Sequence, residues 1–160
     1  MISSWSSKTS NVRSLLVWKS RDNNKPSLAD MLRPSIQTLK HIILNFYDVV
    51  TDDGDPLFGI PSEFEEMRTK NIIETVTIRV YQMDVRCHGD NWGGLDKVLT
   101  SPGWLSLKRV SLFIEVSNYS ETDNELLVAL RKLPETQFLR LSSSNSVSFD
   151  FEVVTTTRTE

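Results

Sequence analysis

Leu39, Ile42, Leu44 and Phe46 set out an apolar pattern, L-x-x-L-x-L-x-L, that returns in Ile73, Val76, Ile78 and Val80 and again in Leu107, Val110, Leu112 and Ile114. The copies begin 34 residues apart in both steps. Within each copy the last three positions alternate, which is the two-residue period of a strand buried on one face. Val12, Leu15 and Val17 repeat the first three positions 27 residues before Leu39, and Val147, Phe149, Phe151 and Val153 alternate again. Five strands are therefore expected, at 12–18, 39–47, 73–83, 107–117 and 147–153.

Between the strands the period becomes helical. Ser27 can cap a short helix at 28–33 that Pro34 closes. Pro61 to Glu65 opens a second, with Ser62 and Glu65 spaced as a capping box and Phe64 and Met67 on one face. Leu95, Val98 and Leu99 stripe a helix at 94–100, and Leu126, Leu127, Leu130 and Leu133 stripe one at 123–132 that Pro134 stops. Residues 138–141 read as a short strand or the approach to one. Strands alternating with helices favour a parallel sheet, because parallel neighbours need a crossover. Repetition of one crossover implies an α/β solenoid of about five mainly parallel strands with helices on one face, an architecture that offers a binding surface rather than an enclosed pocket. A single repeat domain is expected over 12–154, between flexible segments at 1–11 and 155–160. Tetratricopeptide repeats share the period but are all-helical, and each unit here begins with β-branched, alternating sequence.

If 42, 44 and 46 face the helices, then 43, 45 and 47 face away, and so do their counterparts 34 and 68 residues later. The open face then carries three expected columns. They are Leu16, Ile43, Thr77, Ser111 and Ser148; Trp18, Asn45, Arg79, Phe113 and Asp150; and Ser20, Tyr47, Tyr81, Glu115 and Glu152. Aromatic residues interspersed with Arg and carboxylates resemble the composition of protein-binding hot spots. The candidate partner-binding residues are Trp18, Asn45, Tyr47, Arg79, Tyr81, Phe113 and Glu115.

Composition narrows the classes of partner. The net charge is −3 and the tight basic pairs, Lys108-Arg109 and Arg131-Lys132, are isolated, so neither nucleic acid nor an anionic membrane is expected. Cys87 is the single cysteine, which excludes an internal disulfide framework. The first residues lack a basic head and apolar core, and no apolar run reaches the roughly 18 residues of a membrane span. Cytoplasm or nucleus is the expected location.

Catalytic and metal constellations are sparse. Cys87, His88 and Asp90 share a Gly-rich loop, but neighbouring side chains on an extended segment diverge, and a structural zinc needs about four Cys or His ligands where the chain has one Cys and two His. Asp52, Asp53 and Asp55 flank Gly54, yet the EF-hand register would put Val49 and Ile60 at its first and last ligand positions. Phosphate-loop, dinucleotide and nucleophile-elbow motifs are absent. No catalytic residue, cofactor or metal is expected. The alternatives are a small hydrolase-like or metal-dependent enzyme built on the Cys87–Trp92 loop, and a degenerate remnant without specific function.

The strand units fit the core L-x-x-L-x-L of leucine-rich repeats, but with a longer period, and with Tyr47, Tyr81 and Glu115 where that family places Asn or Cys. Longer stretches, Phe58–Glu63, Met67–Thr75, Gly103–Val110 and Leu130–Thr136, resemble the C-terminal region of mushroom-type fungal proteins described as F-box or leucine-rich-repeat-like. The resemblance spans roughly 28–153. It implies an irregular leucine-rich-repeat-like solenoid that captures a protein substrate, while a separate F-box grips a ubiquitin-ligase adaptor. No Leu-Pro-led helical trio precedes the first repeat, so the expectation is a non-catalytic recognition domain lacking its F-box, with an adaptor as partner only if an F-box lies upstream.

Overall fold

In the computed structural model strand and helix alternate as far as β4, and three helices then precede the last strand, in the order β1 (Ser14–Lys19), α1 (Leu28–Leu32), β2 (His41–Phe46), α2 (Ile60–Met67), β3 (Thr75–Val80), α3 (Trp92–Leu99), β4 (Arg109–Ser117), α4 (Asn124–Arg131), α5 (Leu133–Thr136), α6 (Leu139–Ser142) and β5 (Ser148–Thr156). The structure describes residues 27–47, 57, 59–81, 92–117 and 124–156, together with the backbone of 14–19. The strands pair in sequence order, β1-β2-β3-β4-β5, all parallel. Four of them, β2 to β5, carry described side chains.

Register follows the repeat. Ile42 lies opposite Val76 and Val76 opposite Val110; Leu44, Ile78 and Leu112 form the next row, and Phe46, Val80 and Ile114 the third. All nine are buried, in one core with Leu28, Leu32, Phe64, Met67, Leu95, Leu99, Leu126 and Leu130 from the helices. The helices therefore cover the face of the sheet that these rows occupy. The first residue of each copy, Leu39, Ile73 and Leu107, is also buried but sits just before its strand, closing the core at that end. Trp92 and Phe138 meet edge to face at 6.1 Å, and Phe138 reaches Phe149 at 5.2 Å, which joins α3 and the α5–α6 turn to β5.

Several local expectations are corrected. Ser62 and Glu65 do not form a capping box; α2 begins earlier, after Gly59, whose φ of +77° supplies the left-handed turn that a side chain would strain. α3 starts at Trp92 rather than 94. Residues 139–142 are a helical turn, because the Asp96 carboxylate on α3 accepts the backbone N–H of Arg140 at 3.2 Å and of Leu141 at 2.8 Å and so satisfies its first donors. Pro134 both follows α4 and opens α5, where its missing N–H is not needed. β5 continues through Thr155 and Thr156, which were expected to fray. The flexible segment expected at 1–11, the loop 48–56 and residues 157–160 lie outside the described residues.

Side chains also tie one repeat to the next. The Glu63 carboxylate on α2 accepts the Leu28 N–H at the start of α1. Gly103 passes so close to the end of α2 that a Cβ there would stand 2.9 Å from the Arg68 carbonyl oxygen. Lys40, Glu74 and Lys108 each immediately follow the first apolar residue of a copy. Their backbones continue the ladder, Glu74 N–H to the Lys40 carbonyl at 2.8 Å and Lys108 N–H to the Glu74 carbonyl at 2.9 Å. Their side chains converge, with Lys40 Nζ 2.5 Å from Glu74 Oε1 and Lys108 Nζ 2.8 Å from Oε2.

The hydrogen bonds from Lys108 and Lys40 lower the Glu74 pKa to about 2, against the opposing effect of desolvation. A carboxylate with a depressed folded-state pKa stabilises the fold fully above its unfolded value and loses that contribution as pH falls through the folded one. Wild-type stability should therefore carry a Glu74-dependent decline between about pH 4.5 and about pH 2 that Glu74→Gln lacks, measured by urea denaturation across that window at low salt. Equal slopes in the two proteins would show that the double ion pair does not form. In the core, Ile78→Ala should lower the unfolding free energy by about 2–5 kcal/mol, because Ile78 is fully buried between two rows of its own kind; urea denaturation gives the value, and a loss below about 1 kcal/mol would contradict this burial.

Candidate functional site

The sheet face turned away from the helices is where the candidate residues meet. Arg79 stands between Thr77 and Tyr81 on β3 and just beyond it, and β4 presents Ser111, Phe113 and Glu115 beside them. These six residues line a shallow groove. Tyr47 and Tyr81 each lie one position past a strand end, and the Tyr81 N–H continues the ladder to the Phe46 carbonyl at 2.8 Å. Adjacent parallel strands run about 4.8 Å apart, which is also a stacking distance for flat rings. The two phenol rings accordingly stack at 4.7 Å and 9°, and Phe113 leans on Tyr81 at 6.1 Å.

The electrostatics of this face are mixed. Partial desolvation, then Tyr81 and Glu115, push the Tyr47 hydroxyl pKa above its ordinary value, while the Arg79 guanidinium acts against them. Arg79 is exposed and makes no hydrogen bond or ion pair among the described residues. Glu115 Oε1 accepts the Thr156 hydroxyl at 3.1 Å. Asp150 accepts the Ser111 hydroxyl at 3.2 Å and lies 3.3 Å from Arg109 Nε.

Of the expected columns, the part contributed by β2 to β4 forms as read, with Ile43, Thr77 and Ser111 in one row and Asn45, Arg79 and Phe113 in the next; the β1 backbone lies level with them at Leu16 and Trp18, and Ser20 lies outside the described residues. The Trp18 side chain lies outside the described residues. On β5 the expected pairing is corrected by two residues. Ser111 faces Asp150, Phe113 faces Glu152 and Glu115 faces Val154. Slippage by two preserves which side chains point inward, so the alternation of Val147, Phe149, Phe151 and Val153 could not reveal it.

Asn45 departs from its expected role as an exposed contact. It is 1% exposed, and among the described residues neither its amide oxygen nor its amide nitrogen has a hydrogen-bond partner. A buried amide without partners loses its hydration and gains nothing in return. Asn45→Leu, which keeps the branching and removes the polar atoms, should raise the unfolding free energy by about 1–3 kcal/mol. A lower midpoint in thermal or urea denaturation would mean that the amide is bonded after all.

The cluster singled out for chemistry, Cys87, His88 and Asp90, lies outside the described residues, as do Asp52, Asp53 and Asp55. Trp92, at the end of that loop, is a core residue, 1% exposed. Among the described residues no group of three or more His, Cys, Asp or Glu side chains could hold a metal ion, and no helix is long and apolar enough to cross a membrane. The residues that sequence reading missed are Lys40, Glu74 and Lys108; their signal was present as alternating charge at one fixed position of the repeat, 34 residues apart. No protein-family model, curated protein or solved structure matches this chain.

Proposed function

We propose that this chain is a non-catalytic protein-interaction domain of leucine-rich-repeat-like, solenoidal character, and that the open face of its sheet takes the partner. The observation that carries this reading is the aromatic cluster of exposed Tyr47 and half-buried Tyr81 and Phe113, beside a guanidinium that has no partner among the described residues. Aromatic rings bring large area at small entropy loss, and Arg adds a directed charge-assisted hydrogen bond. Neither belongs to the hydrophobic core of the described residues, which packs on the other side of the sheet. The solenoidal reading is supported by strands added in sequence order with one repeated register. The resemblance of residues 28–153 to F-box-associated repeats supports the finer reading, in which the face reads a substrate for a ubiquitin ligase through an F-box supplied elsewhere.

The tagged chain, recovered from its native cells, should carry a stoichiometric protein partner identified by mass spectrometry. Tyr81→Ala and Arg79→Glu should each weaken that complex by about 2 kcal/mol, roughly 30-fold in Kd, while the chain remains folded. Adaptor or cullin subunits among the co-purifying proteins would support the ubiquitin-ligase reading. Retention of the partner by both variants would exclude the sheet face as its site.

A further inference from the structure

Resting on the reading of the sheet face as a partner surface, the geometry points to one kind of occupant. We propose that the face takes an α-helix of a partner protein laid across the strands, with an acidic residue over Arg79, an apolar residue three or four positions later over Phe113, and a basic residue seven positions later over Glu152.

One row of the sheet sets the geometry of the face. Arg79, Phe113 and Glu152 are direct neighbours on β3, β4 and β5 and share the open face. A cation, an aromatic ring and an anion thus follow one another at strand spacing, about 4.8 Å per step and about 10 Å from end to end. Both end groups are exposed, and neither has a hydrogen bond or ion pair among the described residues. They are too far apart at the backbone, with Phe113 between them, to satisfy each other well.

An extended peptide crossing the strands matches this row poorly. Side chains on one of its faces recur every two residues, about 6.7 Å, so its third and fifth residues overshoot the ring and the carboxylate. A helix matches it well. Its pitch of about 5.4 Å places i, i+3 or i+4, and i+7 on one face at steps of about 5 Å, with about 10.5 Å between i and i+7.

Charge decides the direction. The side of the face toward β5 is acidic, with Glu152 beyond Phe113, Glu115 two residues along β4 from it, and Asp150 already engaged by Arg109. The side toward β3 holds Arg79. A helix with its acid over Arg79 and its base over Glu152 satisfies both ends, and the reverse orientation of charges sets like against like and is disfavoured. The helix is about 10 Å wide, so the same pose reaches Tyr81 and its stacked partner Tyr47 in the next row.

The test uses a phage-displayed library on a stable single-domain helical scaffold, with i, i+3, i+4 and i+7 of one exposed helix randomised, selected against the full chain and counter-selected against Tyr81→Ala. Phe113→Thr replaces that variant if Tyr81→Ala fails to fold. The expected result is enrichment of Asp or Glu at i, apolar residues at i+3 or i+4, and Lys or Arg at i+7. Binding of such a clone should weaken about tenfold or more on Arg79→Glu, and should return when the acid at i is changed to Lys. Clones that depend on Tyr81 but carry no such charge order, or that ignore Arg79→Glu, would overturn the helix rule and leave the sheet-face reading standing. Failure to obtain any clone that depends on Tyr81 or Phe113 would overturn both.

Discussion

The structure rests on a constant step along the chain. In a parallel sheet each strand is separated from the next by a crossover, and nothing local forces successive crossovers to deliver their strands at the same height. Here the 34-residue step does so twice, bringing Ile42, Val76 and Val110 level and with them the two rows that follow. A slip of one residue in any strand would turn its buried side chains to the open face and its open-face side chains into the core. The charged row at the strand entrances keeps the same step. Glu74 can receive Lys40 from one side and Lys108 from the other only while the three residues remain level, so the ion pairs and the core select the same register.

Once the register is held from one side, the other side of the sheet is released from structural duty. Val76, Ile78 and Val80 are committed to the core, whereas Thr77, Arg79 and Tyr81 alternate with them and contribute little to it. Tyr47 and Tyr81 stack because their strands are adjacent and level, so the aromatic platform is a by-product of the same register. Asn45 is the exception: it lies on the open-face side of β2 yet is buried with its amide unpaired among the described residues. A polar group in that situation is retained against stability, unlike its row neighbours Arg79 and Phe113, which remain accessible.

The parts legible in the sequence were those governed by short periods. Alternation in 42–46, 76–80 and 110–114 set the inward face, and the common step set the pairing of β2, β3 and β4. The helices were legible from stripes such as Leu126, Leu127 and Leu130, and the Ser27 cap of α1 forms as read, but the starts of α2 and α3 and the turn at 139–142 were not legible. The turn at 139–142 is helical through Asp96, 44 residues before Arg140 and 45 before Leu141, and no local pattern announces that. Gly59 replaced the expected Ser62 cap because a left-handed residue there lets the chain turn into α2 before Pro61. In the candidate site the pairing of Arg79 with Phe113 was readable, whereas the burial of Asn45 depended on three-dimensional surroundings.

The β5 register shows why the remaining error fell where it did and what it changes. The chain between β4 and β5 contains α4, α5 and α6, so the step of the earlier repeats no longer applies. Any even slip leaves Phe149, Phe151 and Val153 pointing at the core, and apolar burial alone cannot choose among such registers. Electrostatics can. The expected register would have set Glu115 directly opposite Glu152, two carboxylates at strand spacing, an arrangement that destabilises a sheet. The observed register sets Glu115 beside Val154, gives Asp150 the Ser111 hydroxyl and the Arg109 guanidinium, and moves Glu152 opposite Phe113. Relief of one repulsion therefore creates the row of Arg79, Phe113 and Glu152, and with it a face whose charge runs from positive to negative across an aromatic centre. The polarity of the surface is thus a consequence of how the last strand avoids its neighbour's charge.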